Sequence, residues 1–277
     1  MSSMLKLLST TLLLSSLAYA STTSEKIEDF LSDEFSNNPR LASVEVEVED
    51  EVPLKDLKGW SGYIVNVKAE LKGKKEEIKQ KMIWFSNGTM ITKTLTNMDT
   101  LENMTEVVKP SFKQQYYKKE NLIYGNENAK HKVALFSDPL CPFCRSFIPA
   151  AIKDMKKNPE KFAIYYYHLP LERIHPASVT LVKAAVAAEQ KGVKDVVLKL
   201  YNVKVNPREK DVKKILAAFN KAVGTNITEA DIKSKKVLDH FKSDIDVARN
   251  LLVGGTPTVY LDGKLDNTKK KYKTVKQ

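Results

Sequence analysis

The spacing of apolar and polar positions changes character along the chain, and each change predicts a different element. Val44-Glu45-Val46-Glu47-Val48-Glu49 alternates strictly, the period of a strand with one buried face. Tyr63 to Leu71 and Met82 to Phe85 supply further strand material, and Ser86-Asn87-Gly88 is a turn signal between Met82–Phe85 and Met90–Leu95. Asn87-Gly88-Thr89 also fits a glycosylation acceptor, although a hairpin turn explains Asn-Gly without it. From Asp99 to Tyr117 the pattern becomes polar and helix-like, interrupted at Pro110. The short apolar run Val133 to Phe136 then reads as a buried strand. A helix follows to about Lys157, and a strand over Phe162–Leu169. Residues 177–253 are mainly helical: Val212, Ile215, Leu216 and Phe219 share one helix face, Gly224 is placed as a stop, and Thr228 with Asp231 resembles a capping box. Thr258–Leu261 reads as a strand and Asp262-Gly263 as a hairpin turn. A β-rich first half therefore precedes an α/β second half, with residues 21–99 as a first domain, 100–128 as a connector and 129–277 as a second domain.

Residues 1–20 stand apart. Lys6, the apolar run Leu7–Leu17 and Ala18-Tyr19-Ala20 have the layout of a cleaved signal peptide, with an uncleaved anchor as the competing reading. Export would place the mature chain where disulfides persist. The chain has 277 residues, 42% hydrophobic, and that length favours two cores over one. The net charge of +11 is uneven: residues 21–128 carry 15 basic and 19 acidic side chains, residues 129–277 carry 29 and 15. No nucleic-acid motif accompanies the basic half, so its lysines read as solvated helix faces, and the basic tail (Lys269–Lys271, Lys273, Lys276) as a solvated last helix.

The only two cysteines, Cys141 and Cys144, are three positions apart at the predicted start of a helix. There, unpaired backbone N–H groups and the helix dipole stabilise a thiolate. Pro142 suits the first helical position because it has no N–H to satisfy. Cys141 is then the attacking thiol, and Cys144, one turn on, can close a disulfide and expel whatever Cys141 carries. Three other readings compete. Structural zinc lacks further ligands, since His131, His168, His175 and His240 show no ligand spacing around the pair. A purely structural disulfide would close too small a loop to restrict the unfolded chain much, and inert thiols suit an oxidising compartment poorly. Far along the chain, Gly254-Gly255-Thr256-Pro257 places an X-Pro bond before a strand; it reads either as a cis bond exposing backbone or as an ordinary trans proline.

Strand, CxxC at a helix start, and Gly-Thr-Pro before a later strand together resemble the thioredoxin superfamily. Pro149 matches the proline that kinks that family's active-site helix. The helical stretch, about 177–253, resembles the helical insertion of periplasmic Dsb proteins. The preceding β-rich domain and linker resemble the DsbC/DsbG type, a weak likeness extending to Phe85–Gly88. The resemblance implies a thioredoxin-like domain with a helical insertion, preceded by a smaller cystatin-like dimerisation domain and a linker helix. It makes Cys141 the nucleophile and Cys144 its partner, and gives Thr256 and Pro257 to a substrate-binding loop. Asp138 resembles an acidic residue found before the CxxC in that group, or is simply a turn residue. Oxidases of the DsbA type carry Pro-His between the cysteines where this chain has Pro142-Phe143. Phe143 offers neither charge nor hydrogen bond, so a less stabilised thiolate and a less oxidising disulfide are expected. Thr256 before the proline likewise resembles the isomerase branch. The resemblance thus implies a periplasmic, homodimeric disulfide isomerase with misfolded exported clients and a membrane thiol reductase as partners, and no metal or organic cofactor. A dimeric thiol oxidase served by a membrane oxidase, and a holdase chaperone, are the alternatives.

Overall fold

The computed structural model describes residues 22–74 and 77–275; the expected signal peptide, residues 1–20, and Lys276 of the basic tail lie outside them. The described residues divide into two compact units. The first runs to Gln80 and again over Trp84–Lys93, and the second takes Lys81–Ile83 and everything from Thr94 on.

The first unit opens with a helix that the β-rich reading did not anticipate, α1 (Thr23–Ser36). Its signal is present in the sequence: the Thr22 hydroxyl accepts from Glu25 N and Glu25 Oε2 accepts from Thr22 N, a reciprocal capping box. Ile27 and Leu31, four apart, form its buried face. Four strands follow in the order β1 (Leu41–Pro53), β2 (Ser61–Leu71), β3 (Glu77–Ser86) and β4 (Ile91–Thr92). In β1 the alternation holds, the valines half-buried and the glutamates exposed, with Val44, Val46 and Val48 opposite Ala69, Val67 and Val65. The Asn87-Gly88 turn joins β3 to β4, Asn87 Oδ1 accepting from Thr89 N and Met90 N. β4 is only two residues long, shorter than the expected Met90–Leu95.

No continuous linker helix forms over Asp99–Tyr117. The only α-helical turn there is α2 (Thr105–Val108). Asparagines break the pattern: Asn97 Oδ1 accepts from Asp99 N and Thr100 N, and Asn103 Oδ1 from Thr105 N, offering the backbone local turns in place of a helix. Much of the span read as a connector also belongs to the second core. Phe112 is buried against Phe136, Tyr167 and Tyr260, and β5 (Leu122–Tyr124) is an edge strand of the second sheet.

That sheet has the order β5-β7-β6-β8-β9, with β6 (His131–Ser137) and β7 (Phe162–His168) parallel and the remaining pairs antiparallel. Both central strands are buried on two faces, as a parallel pair covered by helices must be. Val133 and Leu135 face α3 (Pro142–Met155), while Ala134 and Phe136 face the layer containing Val247 and Leu251. Between β7 and β8 (Thr258–Leu261) lie α4 (Pro176–Gln190), α5 (Val196–Leu200), α6 (Val212–Val223), α7 (Glu229–Ile232) and α8 (Lys235–Asn250). α4 to α7 build a separate apolar cluster around Leu181, Leu200 and Phe219. Gly224 ends α6 in the left-handed conformation at φ 75°, and the Thr228–Asp231 capping box opens α7. The Asp262-Gly263 turn leads from β8 into β9 (Lys264–Leu265). Among its described residues the tail forms no last helix: Lys271–Lys273 is a single 3₁₀ turn, pinned by buried Tyr272 against Phe162.

Candidate functional site

The two-faced strand β6 ends at Ser137, and the chain must turn sharply to lay α3 back across the sheet. Asp138 makes that turn. It is wholly buried, and its carboxylate accepts four hydrogen bonds: Oδ1 from Leu140 N (2.7 Å) and Ser178 Oγ (2.6 Å), Oδ2 from Leu171 N (2.7 Å) and His175 Nδ1 (3.0 Å). The first of these is the turn contact expected of an aspartate before Pro139; the other three tie the turn to the segment after β7 and to α4. Such multiple donation is what makes a buried carboxylate tolerable. Arg145 adds a second clamp, donating from Nε to Pro139 O (2.8 Å) and from Nη2 to Val203 O (2.7 Å). Burial lowers its guanidinium from the usual value, and the charge of Asp138 opposes that.

Cys141 is the N-cap of α3, in extended backbone at φ −67° and ψ 123°, and Pro142 takes the first helical position. The sulfur therefore sits at the end of the helix where backbone N–H groups lack partners. α3 continues through Pro149, which removes the N–H that would otherwise bond Arg145 O. Cys141 is only 4% exposed and Cys144 fully buried, whereas Phe143 between them is 74% exposed. The turn thus projects one aromatic outward and keeps one sulfur just beneath the surface.

The Thr256–Pro257 peptide bond is cis. Thr256 O lies 3.6 Å from Cys141 Sγ, which donates to it. Cys141, Pro142, Phe143, Cys144, Thr256 and Pro257 therefore converge, although 115 residues separate the two sulfur-contacting partners in sequence. Asp138 sits behind them, with its carboxylate spent on Leu140, Leu171, His175 and Ser178. Both cysteines are present as free thiols. Among the described residues no cluster of three or more His, Cys, Asp or Glu side chains is arranged to hold a metal.

Burial pushes the Cys144 thiol up to about 11, with the Cys141 charge adding to it. The hydroxyl of Ser137 and the backbone of Asp138 pull the other way. Ser137 is itself part of a chain of buried hydroxyls: Ser137 Oγ lies 2.5 Å from Tyr201 OH, which lies 2.7 Å from Tyr166 OH. Burial raises both phenols well above their ordinary range, so they remain protonated beside the sulfur. The periodicity of the sequence carries no signal for this chain, because Tyr201 comes from α5's C-cap and Tyr166 from β7.

An open groove of about 660 Å³ runs beside the dithiol. Phe143, Ser146 and Phe147 of α3 line it together with the Gly254–Thr258 segment. Lys109, Lys269 and Lys270 reach it from loops that the sequence reading had assigned to a connector and a solvated tail. The arrangement suits covalent exchange: one sulfur sits at a helix N-terminus just beneath the surface, against the Thr256 carbonyl of a groove-lining loop, and a second, protonated sulfur waits one turn behind it.

Residues 117–277 match the family model described as Thioredoxin. A curated relative, the Na(+)/H(+) antiporter NhaA 1 of Mycolicibacterium gilvum (strain PYR-GCK), is 26% identical over 148 residues. The match takes in 51% of this chain and 23% of the antiporter, so the chain spans less than a quarter of that protein's length. Three solved structures are similar at TM-scores below one half. A thioredoxin-like oxidoreductase from Silicibacter pomeroyi is 21% identical, with 54% of this chain and 84% of that one covered at a TM-score of 0.44. The thiol-disulfide exchange protein alpha-DsbA2 from Wolbachia pipientis is 22% identical, covering 58% and 90% at 0.47. Oxidised BdbD from Bacillus subtilis is 18% identical, covering 60% and 90% at 0.45. The family match takes in more than half of the chain, including the strand β6, the Cys141–Cys144 turn and the Thr256–Pro257 loop, and the protein belongs to the thioredoxin family.

Proposed function

We propose that the protein is an exported, homodimeric thiol:disulfide interchange enzyme of the DsbC/DsbG type that acts as a disulfide isomerase. The observation that carries this reading is the placement of Cys141 Sγ at the N-terminus of α3, 3.6 Å from Thr256 O and beside an open groove, with Cys144 buried behind it. The Cys141 thiolate attacks one sulfur of a client disulfide; the other sulfur leaves as a thiolate and takes a proton, and a mixed disulfide remains. In isomerisation another client thiolate attacks the client sulfur and expels Cys141, with no net electron transfer. If Cys144 attacks Cys141 instead, it gives up its proton, the protein disulfide closes and two electrons pass to the client. A membrane thiol reductase then returns them.

Two features favour isomerisation. A resolving thiol raised to about 11 is almost wholly protonated at neutral pH, which lengthens the life of the mixed disulfide and lets client thiols act first. The Pro142-Phe143 pair places no cation beside the Cys141 sulfur. The groove-lining Thr256 and Pro257 present backbone to an extended client segment. The first unit, a four-stranded sheet with α1, serves as the dimerisation module, and residues 1–20 direct the chain to the periplasm.

Cys141→Ser is expected to abolish recovery of activity by a scrambled disulfide substrate; retained isomerisation would refute the nucleophile assignment. Acid quenching and thiol alkylation in the native compartment separate the redox roles. A mostly reduced pair supports the isomerase, and a mostly oxidised one moves the assignment to a thiol oxidase. Full complementation of a deletion by a double Cys→Ala variant would identify a holdase.

A further inference from the structure

The loop that carries two of the groove's lysines, Lys269 and Lys270, is organised by a buried aspartate. Asp266 is 1% exposed. Its Oδ1 accepts from Thr268 N (3.0 Å) and Thr268 Oγ1 (2.6 Å), and its Oδ2 from Lys271 N (2.9 Å). Its backbone accepts from Lys269 N (3.0 Å) and donates to Val259 O (2.8 Å), which ties the loop to the strand that follows Pro257. Lys269 adopts the left-handed conformation at φ 58°, a conformation costly for a side chain bearing a Cβ and maintained here by these bonds. A freely solvated tail would need none of this.

The result is a groove of mixed lining. Phe143 and Phe147 contribute apolar surface to it. Of its lysines, Lys109 is paired with Glu106 at 2.7 Å, while Lys269 and Lys270 have no carboxylate partner among the described residues. Gly254 and Gly255, which also line it, leave open space where a Cβ would stand, so the backbone lies bare next to Thr256, whose carbonyl meets the Cys141 sulfur. Two uncompensated positive charges fixed within reach of an incoming chain favour acidic side chains on that chain.

We propose that this groove selects client segments in which the reactive cysteine is flanked by acidic side chains, and that the Asp266-held loop sets the preference through Lys269 and Lys270. The inference rests on the thiol-exchange reading above and names its substrate class. The attacking chemistry is unchanged; the lysines act on encounter and on the stability of the mixed disulfide.

The test uses the reduced mature protein and three fluorogenic peptides, each with one internal disulfide and differing only in Asp/Glu, Ser or Lys/Arg flanks. Each turnover closes the Cys141–Cys144 disulfide and converts one peptide disulfide to two thiols. At low ionic strength the acidic peptide is expected to react about five-fold faster than the basic one, and the rates should converge near 1 M salt, where screening extends over only about 3 Å. Lys270→Glu should cut the acidic-to-basic ratio at least about three-fold. Lys273→Glu makes the same charge change on an exposed lysine outside the groove and should leave the ratio as it was. Equal rates for acidic and basic peptides, or an equal shift from Lys273→Glu, would overturn the proposal, the latter by assigning the effect to the overall charge of the second unit. If dithiothreitol reduces all three peptides but the protein reduces none, the thiol-exchange reading falls and this proposal with it.

Discussion

Replacing Ser137 with alanine tests whether the buried hydroxyls control the resolving thiol. Burial holds Cys144 near 11, and the Ser137 hydroxyl is the first of the groups opposing that rise. Removing it costs roughly 1–2 kcal/mol of thiolate stabilisation, about one further pKa unit. The fraction of Cys144 present as thiolate at pH 7, about one in ten thousand at the starting value, then falls about tenfold. A more basic thiolate is also a better nucleophile, which recovers a factor of about three. Closure of the Cys141–Cys144 disulfide should therefore slow by about three- to four-fold. Global stability should fall by only about 1 kcal/mol, because Tyr201 OH keeps its partner Tyr166. The assay mixes reduced protein with excess glutathione disulfide, quenches in acid, and follows by mass the Cys141–glutathione adduct as it converts to the closed disulfide. In the unaltered protein the closure rate should climb about tenfold per pH unit from pH 6 to 9, as expected for a thiol titrating well above that range. A rate that levels off below pH 9, or an unchanged adduct lifetime in Ser137→Ala, would refute the reasoning.

Gly125 adopts φ 81°, and a Cβ there would overlap the Phe162 carbonyl oxygen where β5 meets β7. Gly125→Ala should cost about 2–4 kcal/mol in urea unfolding, and a loss below about 0.5 kcal/mol would contradict the close approach. The buried tyrosines set an alkaline limit. Burial raises Tyr117 to about 12 and Tyr166, Tyr167, Tyr201 and Tyr260 further, against about 10 when unfolded. Above pH 10 the unfolded chain therefore binds fewer protons than the folded one. The stabilisation from keeping these phenols protonated is complete below pH 10 and is lost as pH rises toward the folded values. Absorbance at 295 nm should show phenolate appearing together with loss of secondary structure; full ionisation near pH 10 in a still-folded protein would contradict the burial.

The parts legible in advance are those whose signal is local. The Val44–Glu49 alternation gave a strand because period two puts valines on one face whatever lies beyond. Pro142 and Gly224 marked a helix start and a helix end because each favours a backbone geometry others avoid. α1 was also legible, in Thr22, Glu25, Ile27 and Leu31, but those residues fell inside a half dominated by strand patterns. The Asp99–Tyr117 segment misled in the opposite direction. Its pattern is helix-like, yet Asn97 and Asn103 supply competing bonds, and Phe112 is drawn into the second core.

By itself the sequence determined the elements around the dithiol: a buried strand, a cysteine capping a helix, a second cysteine one turn on, and a proline before a later strand. Tertiary structure alone decided what surrounds them. It set Thr256 O against a sulfur 115 residues earlier in the chain, and it buried Cys144 beside a chain of hydroxyls from β6, α5's C-cap and β7. It turned Asp138 from a turn residue into a four-bonded carboxylate, and made two tail lysines part of a groove's lining. The physical reason is that period, capping and turn chemistry act over a few residues. Desolvation and non-local hydrogen bonding depend on which segments meet, and only the folded packing specifies that.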